Sequence, residues 1–261
     1  MSGVREPAVA GQFYPADARE LRRMLAGFLA AARTAGGVPK AVIVPHAGYI
    51  YSGPVAASAY ALLAPARGVI TRVVLLGPAH RVGFSGLALS GADHFATPLG
   101  RVPVERAAAE QLSGLPQVQV LDAAHAHEHS LEVQLPFLQE VLGDFTIIPL
   151  VVGEAEAEEV GAVLERLWGG PETLIVVSSD LSHYHDYATA LKLDRATSQA
   201  VEALASEAIG HDQACGRNPI IGLLHVARKK GLTARTVDLR NSGDTAGARD
   251  RVVGYGAYVF D

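Results

Sequence analysis

The chain contains 261 residues, of which 49% are hydrophobic, 19% are charged and 6% are aromatic. A chain of this length and apolar content can bury a large core without disulfides, and its composition differs from that of disordered proteins. The formal net charge of −5 argues against nucleic-acid binding as the main function, because neutralising phosphates requires a local excess of lysine and arginine. We therefore expect no nucleic-acid partner.

The cysteine content and the amino-terminal residues bear on the cellular location. The chain has one cysteine, Cys215, and so cannot form an intramolecular disulfide. Residues 1–15 lack a basic segment followed by an apolar run, and no apolar stretch reaches the length of a membrane span. We expect a cytoplasmic protein with no membrane partner, in which the thiol is structural, reactive or a metal ligand.

The first predicted element is an amphipathic helix. Asp17 followed by Glu20 has the spacing of a capping box, and apolar residues recur at helical spacing between positions 21 and 28. The Gly-Gly-Val-Pro sequence at 36–39 predicts a turn after this helix.

Short apolar runs, separated by helical patterns, follow this helix. Their β-branched content and their lack of alternation are typical of strands buried on both faces. The predicted strands cover 41–45, 72–77, 145–152 and 173–178. The predicted helices cover 55–63, 106–112, 131–142, 156–167, 191–209 and 220–230, and two alternating strands at 233–239 and 252–260 close the chain. We predict one α/β domain over 1–261, with a mixed, mostly parallel central sheet flanked by helices.

Polar residues follow three of the predicted buried strands. His46 follows the first strand, His80 follows the second, and Asp180 and His183 follow the fourth. Ligands of α/β sheets bind outside the carboxyl ends of the strands, and histidine is both the usual metal ligand and the usual near-neutral acid or base. We interpret His46 and His80 as site residues. If a helix begins at Asp180, then Asp180 and His183 share a face, or Asp180 caps that helix.

A second histidine cluster precedes the predicted helix at 131–142. Glu128 and His129 would lie at the amino terminus of that helix, where a site for an anion or a metal can use them. His125 and His127 are equally compatible with a solvated surface and with a metal site.

Cys215 lies in a short turn before another predicted helix. A free cysteine is usually a small buried hydrophobe, whereas a helix amino terminus after it favours the thiolate. Two imidazoles and a thiolate would make a mononuclear site for zinc, iron or copper. Neither a Gly-x-Ser-x-Gly elbow nor a Walker A or dinucleotide glycine motif occurs, so neither serine hydrolysis nor a nucleotide cofactor is indicated.

Eight motifs, in order along the chain, are similar to those of the Memo family, whose bacterial and archaeal members are called AmmeMemoRadiSam system protein B. The motifs are AGQFYP at 10–15, PHAGYIYSG at 45–53, LGPAH at 76–80, TPLG at 97–100, EHSLEVQLPF at 128–137, SSDLSH at 178–183, CGR at 215–217 and VGY at 253–255. The resemblance covers nearly the whole chain.

The resemblance implies a fold like that of the class III extradiol dioxygenases, in which two histidines and a carboxylate hold iron and another histidine is the acid/base. Carried over by position, it implies His46 and His80 as metal ligands, His183 as the acid/base group and Cys215 in place of the carboxylate. A thiolate is softer than a carboxylate and shifts the preference toward copper or zinc. The resemblance also implies a functional link to radical-SAM and AMMECR-type proteins, and it leaves a homo-oligomer open.

These observations support a metal-dependent, dioxygenase-like oxidoreductase of unknown substrate, with iron expected first and copper or zinc as alternatives. In this hypothesis Asp180 orients His183 or a metal-bound water. One alternative is a non-catalytic module that binds a modified peptide or a small anion, and another is a metal-dependent hydrolase. The residues predicted to contact the substrate or ligand are Tyr49, Tyr51, Glu128, His129 and Arg217.

Overall fold

The computed structural model describes residues 3–33 and 35–261. Within them, the strands are β1 (Val4–Arg5), β2 (Ala41–Val44), β3 (Arg72–Pro78), β4 (Leu87–Leu89), β5 (His94–Thr97), β6 (Gly100–Pro103), β7 (Val118–Val120), β8 (Thr146–Val152), β9 (Thr173–Ser178), β10 (His183–His185), β11 (Ala234–Asn241) and β12 (Val252–Phe260). The α-helices are α1 (Ala18–Ala31), α2 (Tyr49–Tyr60), α3 (Ala107–Gln111), α4 (Asp122–Ala126), α5 (Leu135–Leu142), α6 (Ala157–Leu167), α7 (Tyr187–Glu202) and α8 (Arg217–Lys230).

The large central sheet has the strand order β10-β12-β2-β9-β3-β8-β4-β7, and β11 also pairs with β12. The four central strands β2, β9, β3 and β8 are parallel, whereas β12 and β4 run antiparallel to their neighbours β2 and β8. The prediction of a mixed α/β fold with a central sheet flanked by helices is therefore confirmed.

Both faces of the central sheet are buried. In β3, Val73 and Leu75 pack into one apolar cluster, while Val74 and Leu76 pack into the other. Helices α1, α2 and α5 contribute to the first cluster, and α6 and α8 contribute to the second. A strand covered on both sides has no polar face, which is why these strands read as continuous apolar runs.

The first helix forms where the sequence predicts it. The Asp17 carboxylate accepts hydrogen bonds from the backbone N–H groups of Arg19 and Glu20, at 3.0 and 2.9 Å. These bonds satisfy two of the amides that a helix start leaves unpaired. The helix ends at Ala31, before the turn at 36–39.

No helix begins at Asp180, so the condition under which Asp180 and His183 would share a helix face is not met. His183–His185 instead forms β10, which pairs antiparallel with β12. Helix α7 begins at Tyr187, where the Asp186 side chain accepts hydrogen bonds from two backbone N–H groups. Asp186 is therefore the N-cap, and Asp180 stays in the loop after β9.

A second, three-stranded sheet has the order β1-β5-β6. These strands have two to four residues each, too few to give a periodic signal in the sequence. In the described part of the chain, no helix has both the length and the apolar character that crossing a membrane requires.

Candidate metal centre

The carboxyl ends of three adjacent parallel strands bring the predicted site residues together. Strand β9 lies between β2 and β3 in the sheet, and Val44 at the end of β2 is in register with Ser178 at the end of β9. His46, His80 and Asp180 each follow the last residue of one of these strands by two positions. Side chains that lie up to 134 positions apart in the sequence therefore meet at one edge of the sheet.

Three ligand-type side chains converge at this edge. The ligand atoms of His46, His80 and Cys215 all lie within 4.8 Å of one another. Nε2 of His46 is 3.3 Å from Sγ of Cys215, and the two imidazole centroids are 5.2 Å apart. Cys215 comes from the turn before α8, where its backbone N–H donates to the carbonyl oxygen of Asp180 at 3.3 Å.

The orientation of His46 is fixed by a buried hydrogen-bond network. The Ser178 hydroxyl donates to the carbonyl oxygen of Ser130 at 2.6 Å, so its oxygen is left to accept. Gln134 Nε2 donates to this oxygen at 2.8 Å, and His46 Nδ1 lies 2.9 Å from it. Nδ1 of His46 therefore carries the proton, and its Nε2 offers a lone pair toward Cys215.

Burial also keeps His46 neutral. Desolvation lowers the pKa of His46 well below its usual range, and the neighbouring His80 and His129 add to this effect. A neutral imidazole is the form that binds a metal ion.

Glu128 orients the second histidine. Its carboxylate accepts from the backbone N–H of His80 at 2.6 Å, from His80 Nδ1 at 2.9 Å and from the backbone N–H of Ser130 at 2.9 Å. Burial alone would raise the pKa of Glu128, but the hydrogen bonds from His80 and Ser130 outweigh it and lower the pKa to about 2. Glu128 is thus an ionised support for His80, which leaves Nε2 of His80 for a ligand.

The environment of Cys215 differs from the expectation that a helix start favours the thiolate. Burial raises the pKa of the Cys215 thiol to about 12, and the nearby Asp180 carboxylate adds to the increase. The backbone N–H of Asp180 donates to Sγ at 3.3 Å. This hydrogen bond lowers the pKa of the thiol, but by less than burial raises it. The free thiol is therefore protonated at neutral pH, and metal binding would have to release that proton.

A second group of ligand-type side chains overlaps the first. His80, Glu128 and His129 also have ligand atoms within 4.8 Å of one another. The His129 ring stacks on His80 at 4.7 Å, and burial lowers the pKa of His129 to about 4. Because the Glu128 oxygens already accept three hydrogen bonds, the group that contains Cys215 is better arranged to hold an ion.

The predicted acid/base residues lie beside this centre. His183 Nδ1 lies 2.8 Å from the carbonyl oxygen of Leu181, so Nδ1 carries a proton and Nε2 is the ring nitrogen that can act as a base. Asp180 is 4% exposed, and its carboxylate accepts from the backbone N–H of His46 at 2.8 Å. Burial raises the pKa of Asp180 to about 6. Asp180 thus positions the loop that carries His46.

A cavity of about 860 Å³ opens over the candidate centre. It is lined by the three ligand-type side chains, by Asp180 and His183, and by His129 and Tyr51. Other lining residues are Gln12, Phe13, Tyr184, Arg251 and Tyr255, to which the sequence analysis assigned no role. Gln12 and Phe13 are in the AGQFYP motif and Tyr255 is in the VGY motif, so the motifs were a usable signal for these three.

Three of the five predicted substrate contacts, Tyr49, Glu128 and Arg217, do not line the cavity. The Tyr49 hydroxyl is buried and donates to the carbonyl oxygen of Val133 at 2.6 Å. Arg217 Nε donates to the carbonyl oxygen of Ile209 at 2.8 Å, and neither Tyr49 nor Arg217 lines the cavity. The Glu128 carboxylate instead accepts a hydrogen bond from Nδ1 of His80.

The two histidines that precede Glu128 in the sequence differ in burial. His125 is buried with its Nε2 on the carbonyl oxygen of Ala88, whereas His127 is exposed.

Comparison with known proteins identifies the family. A family model described as "Memo-like protein" matches residues 5–259. The chain belongs to this family. It is 38% identical to a MEMO1 family protein of Aquifex aeolicus, covering 98% of this chain and 99% of that protein. A MEMO1 family protein of Ignicoccus hospitalis is 37% identical, with 98% of each chain covered.

The Memo-like chain also shares its fold with a solved structure. The crystal structure of the uncharacterized protein JW3007 from Escherichia coli K12 superposes with a TM-score of 0.52, covering 82% of this chain and 98% of that one. The sequence identity is 13%, so the likeness concerns the fold alone. The relation to extradiol dioxygenases stays a prediction.

The glycine after Cys215 gives a direct test of this geometry. In this Memo-like protein a Cβ at Gly216 would lie 2.6 Å from Ser179 Cβ and 2.7 Å from the Ser178 carbonyl oxygen, so Gly216→Ala must displace the turn that carries Cys215. We expect Gly216→Ala to weaken zinc binding at least tenfold and to lower stability by about 1–3 kcal/mol. Zinc titration against a chromophoric chelator and urea denaturation measure the two effects.

Gly27→Ala is the matched control, because Gly27 lies within α1 and a Cβ there has nothing within 4 Å. This change should stabilise the protein by about 0.5–1 kcal/mol and leave zinc binding unchanged. Equal zinc affinities in wild type and Gly216→Ala would contradict the placement of Cys215.

Proposed function

We propose that this Memo-like protein is a metal-dependent oxidoreductase in which His46, His80 and Cys215 hold one transition-metal ion. Iron is the first expectation, with copper and zinc as alternatives. The observation that carries the proposal is the convergence of three ligand atoms within 4.8 Å, at the base of a cavity of about 860 Å³.

The donor set fits such an ion. Imidazole nitrogens suit iron, copper and zinc, and a thiolate favours the softer of these ions. In both histidines the other ring nitrogen already has a partner, Ser178 Oγ for His46 and the Glu128 carboxylate for His80. Metal-binding histidines are typically held in this way, and three protein ligands leave a coordination position for substrate.

The residues around the centre can bind and move protons. When bound, the ion would supply a redox-active, Lewis-acidic centre facing the cavity. His183 keeps Nε2 as a base nitrogen beside the cavity, because its Nδ1–H donates to the carbonyl oxygen of Leu181. His46 is buried, and Asp180 holds the His46 loop in place through the His46 backbone N–H. The resemblance of the motifs to the Memo family supports oxidative over hydrolytic chemistry.

Metal analysis of the anaerobically purified protein tests the ligand assignment. We expect about one metal ion per wild-type chain and a loss of most of it in His46→Ala and Cys215→Ser, because each variant removes one of three donors. His211→Ala is the matched control, since His211 is exposed and does not line the cavity. Unchanged stoichiometric metal in both ligand variants would refute the assignment.

Oxygen uptake tests the reaction class. The iron- or copper-loaded protein should consume oxygen with a suitable reducing substrate, and His46→Ala should lose this activity. Stoichiometric metal without oxygen consumption by either loaded form, across a broad panel of substrates, would contradict the oxidoreductase proposal.

A further inference from the structure

Two arginines in the loop before β12 have different surroundings. Arg249 stacks 4.5 Å from the Tyr187 ring centroid, and its Nη2 is 3.8 Å from a carboxylate oxygen of Asp244. Arg251 stacks 5.2 Å from the Tyr184 ring centroid and lines the cavity. Within residues 3–33 and 35–261, Arg251 has no carboxylate partner within ion-pair distance. Its guanidinium is therefore available to an anion in the cavity.

Tyr184, which supports Arg251, has an unusual backbone. Its φ is 63°, in the left-handed region that residues other than glycine adopt rarely. Its side chain is 64% exposed, although an aromatic ring is normally buried. Tyr184 directly follows His183 in β10, so this conformation holds an aromatic ring and a cation at the rim of the site. A sparsely populated backbone conformation beside a cavity is typical of functional positions.

The remaining cavity wall is aromatic and carries little charge. Phe13, Tyr51 and Tyr255 line it together with Tyr184. Among the residues that the structure describes, the one carboxylate that lines the cavity is that of Asp180, which is buried and accepts a hydrogen bond from the His46 backbone N–H. The one lysine or arginine among those lining residues is Arg251. The cavity thus offers flat apolar surfaces and a single guanidinium.

We propose that the cavity binds a small planar organic acid whose carboxylate pairs with Arg251. A guanidinium matches a carboxylate with two parallel hydrogen bonds, and aromatic walls favour a flat, apolar body. A flat carboxylic acid also fits between aromatic walls better than a tetrahedral phosphate does. This inference rests on the proposed function in one respect, since it assigns a substrate class to the same cavity.

Binding of 2-naphthoate and of its neutral analogue 2-naphthamide tests the proposal. Both are titrated by fluorescence into the full-length protein as purified, and again after metal removal with a chelator. We expect 2-naphthoate to bind about tenfold more tightly than 2-naphthamide in both preparations, because the acid alone forms a charge-assisted pair. Inorganic phosphate should not compete.

Substitutions at the rim assign the effect to its residues. Arg251→Gln should remove the preference for the acid and leave amide binding unchanged, whereas Arg249→Gln, the matched control, should retain the preference. Tyr184→Asn keeps a residue that tolerates the left-handed region but removes the ring, so it should weaken both ligands. Arg251 is exposed, so its replacement leaves the core intact.

The outcomes separate this proposal from the metal assignment. Equal affinities for acid and amide in wild type, or an unchanged preference in Arg251→Gln, would overturn the role of Arg251. A preference for the acid that exists only in the metal-containing protein would also overturn the role of Arg251, since the carboxylate would then contact the ion. Competition by inorganic phosphate would overturn the assignment to carboxylates. A preference that survives chelation in a protein that binds no metal would instead contradict the proposed function alone.

Discussion

Replacing Glu132 with alanine is expected to destabilise the protein by about 3–5 kcal/mol, because the change leaves a buried arginine without its counter-charge. Glu132 is fully buried, and its carboxylate pairs with Arg5, which is itself 7% exposed. The same carboxylate accepts the backbone N–H groups of Ala8 and Val9, at 2.7 and 3.0 Å, and the Tyr14 hydroxyl. Urea denaturation followed by circular dichroism measures the loss.

An exposed ion pair provides the control for this prediction. Lys229 Nζ is 2.6 Å from the Glu165 carboxylate, with side-chain exposures of 61% and 37%, so Glu165→Ala should cost less than about 1 kcal/mol. Combining Glu132→Ala with Arg5→Met should recover part of the loss, since no unpaired charge is then buried. A cost below about 1 kcal/mol for Glu132→Ala would show that the network contributes little.

Glu128→Gln is expected to weaken metal binding by about 10- to 100-fold, the usual effect of removing a carboxylate that orients a metal-binding histidine. A glutamine side chain has one acceptor oxygen, whereas Glu128 uses both oxygens to hold the His80 ring, the His80 backbone and Ser130. Zinc affinity measured by competition with a chromophoric chelator gives the change.

The same experiment distinguishes the two overlapping ligand groups. If His80, Glu128 and His129 were the ligands, Glu128→Gln would abolish binding and Cys215→Ser would have no effect. If His46, His80 and Cys215 are the ligands, Cys215→Ser lowers the zinc affinity more than Glu128→Gln does. Glu110→Gln, an exposed change on α3, should leave the affinity unchanged.

Much of the sheet and of the inner site could be predicted from local sequence. The central strands are buried on both faces and so appear as uninterrupted apolar runs, and each run ends at a polar or Gly/Pro-bounded turn. Parallel strands end at one edge, which is why His46 and His80 could be placed together before any contact was known. Cys215 was a candidate ligand from its turn before a helix, but its placement at the same edge as His46 and His80 came from the family resemblance.

The supporting contacts could not be predicted, because they join distant segments. Ser178 lies 132 positions from His46, and Arg5 lies 127 positions from Glu132. No short-range pattern encodes such pairs. The pKa of the Cys215 thiol was mispredicted for a related reason, since burial and the Asp180 charge depend on the assembled fold and outweigh the local effect of a helix start.

Residues 128–134 contact three separate parts of the protein, namely His80, the Ser178 side chain that holds His46, and strand β1. Glu128 holds His80, Ser130 and Gln134 hold Ser178 and through it His46, and Glu132 receives Arg5 from β1. This one segment therefore orients both imidazole rings, and the ion pair between Glu132 and Arg5 joins it to β1. Because these contacts link both histidines to β1, we expect docking of β1 and metal affinity to be thermodynamically coupled in either direction.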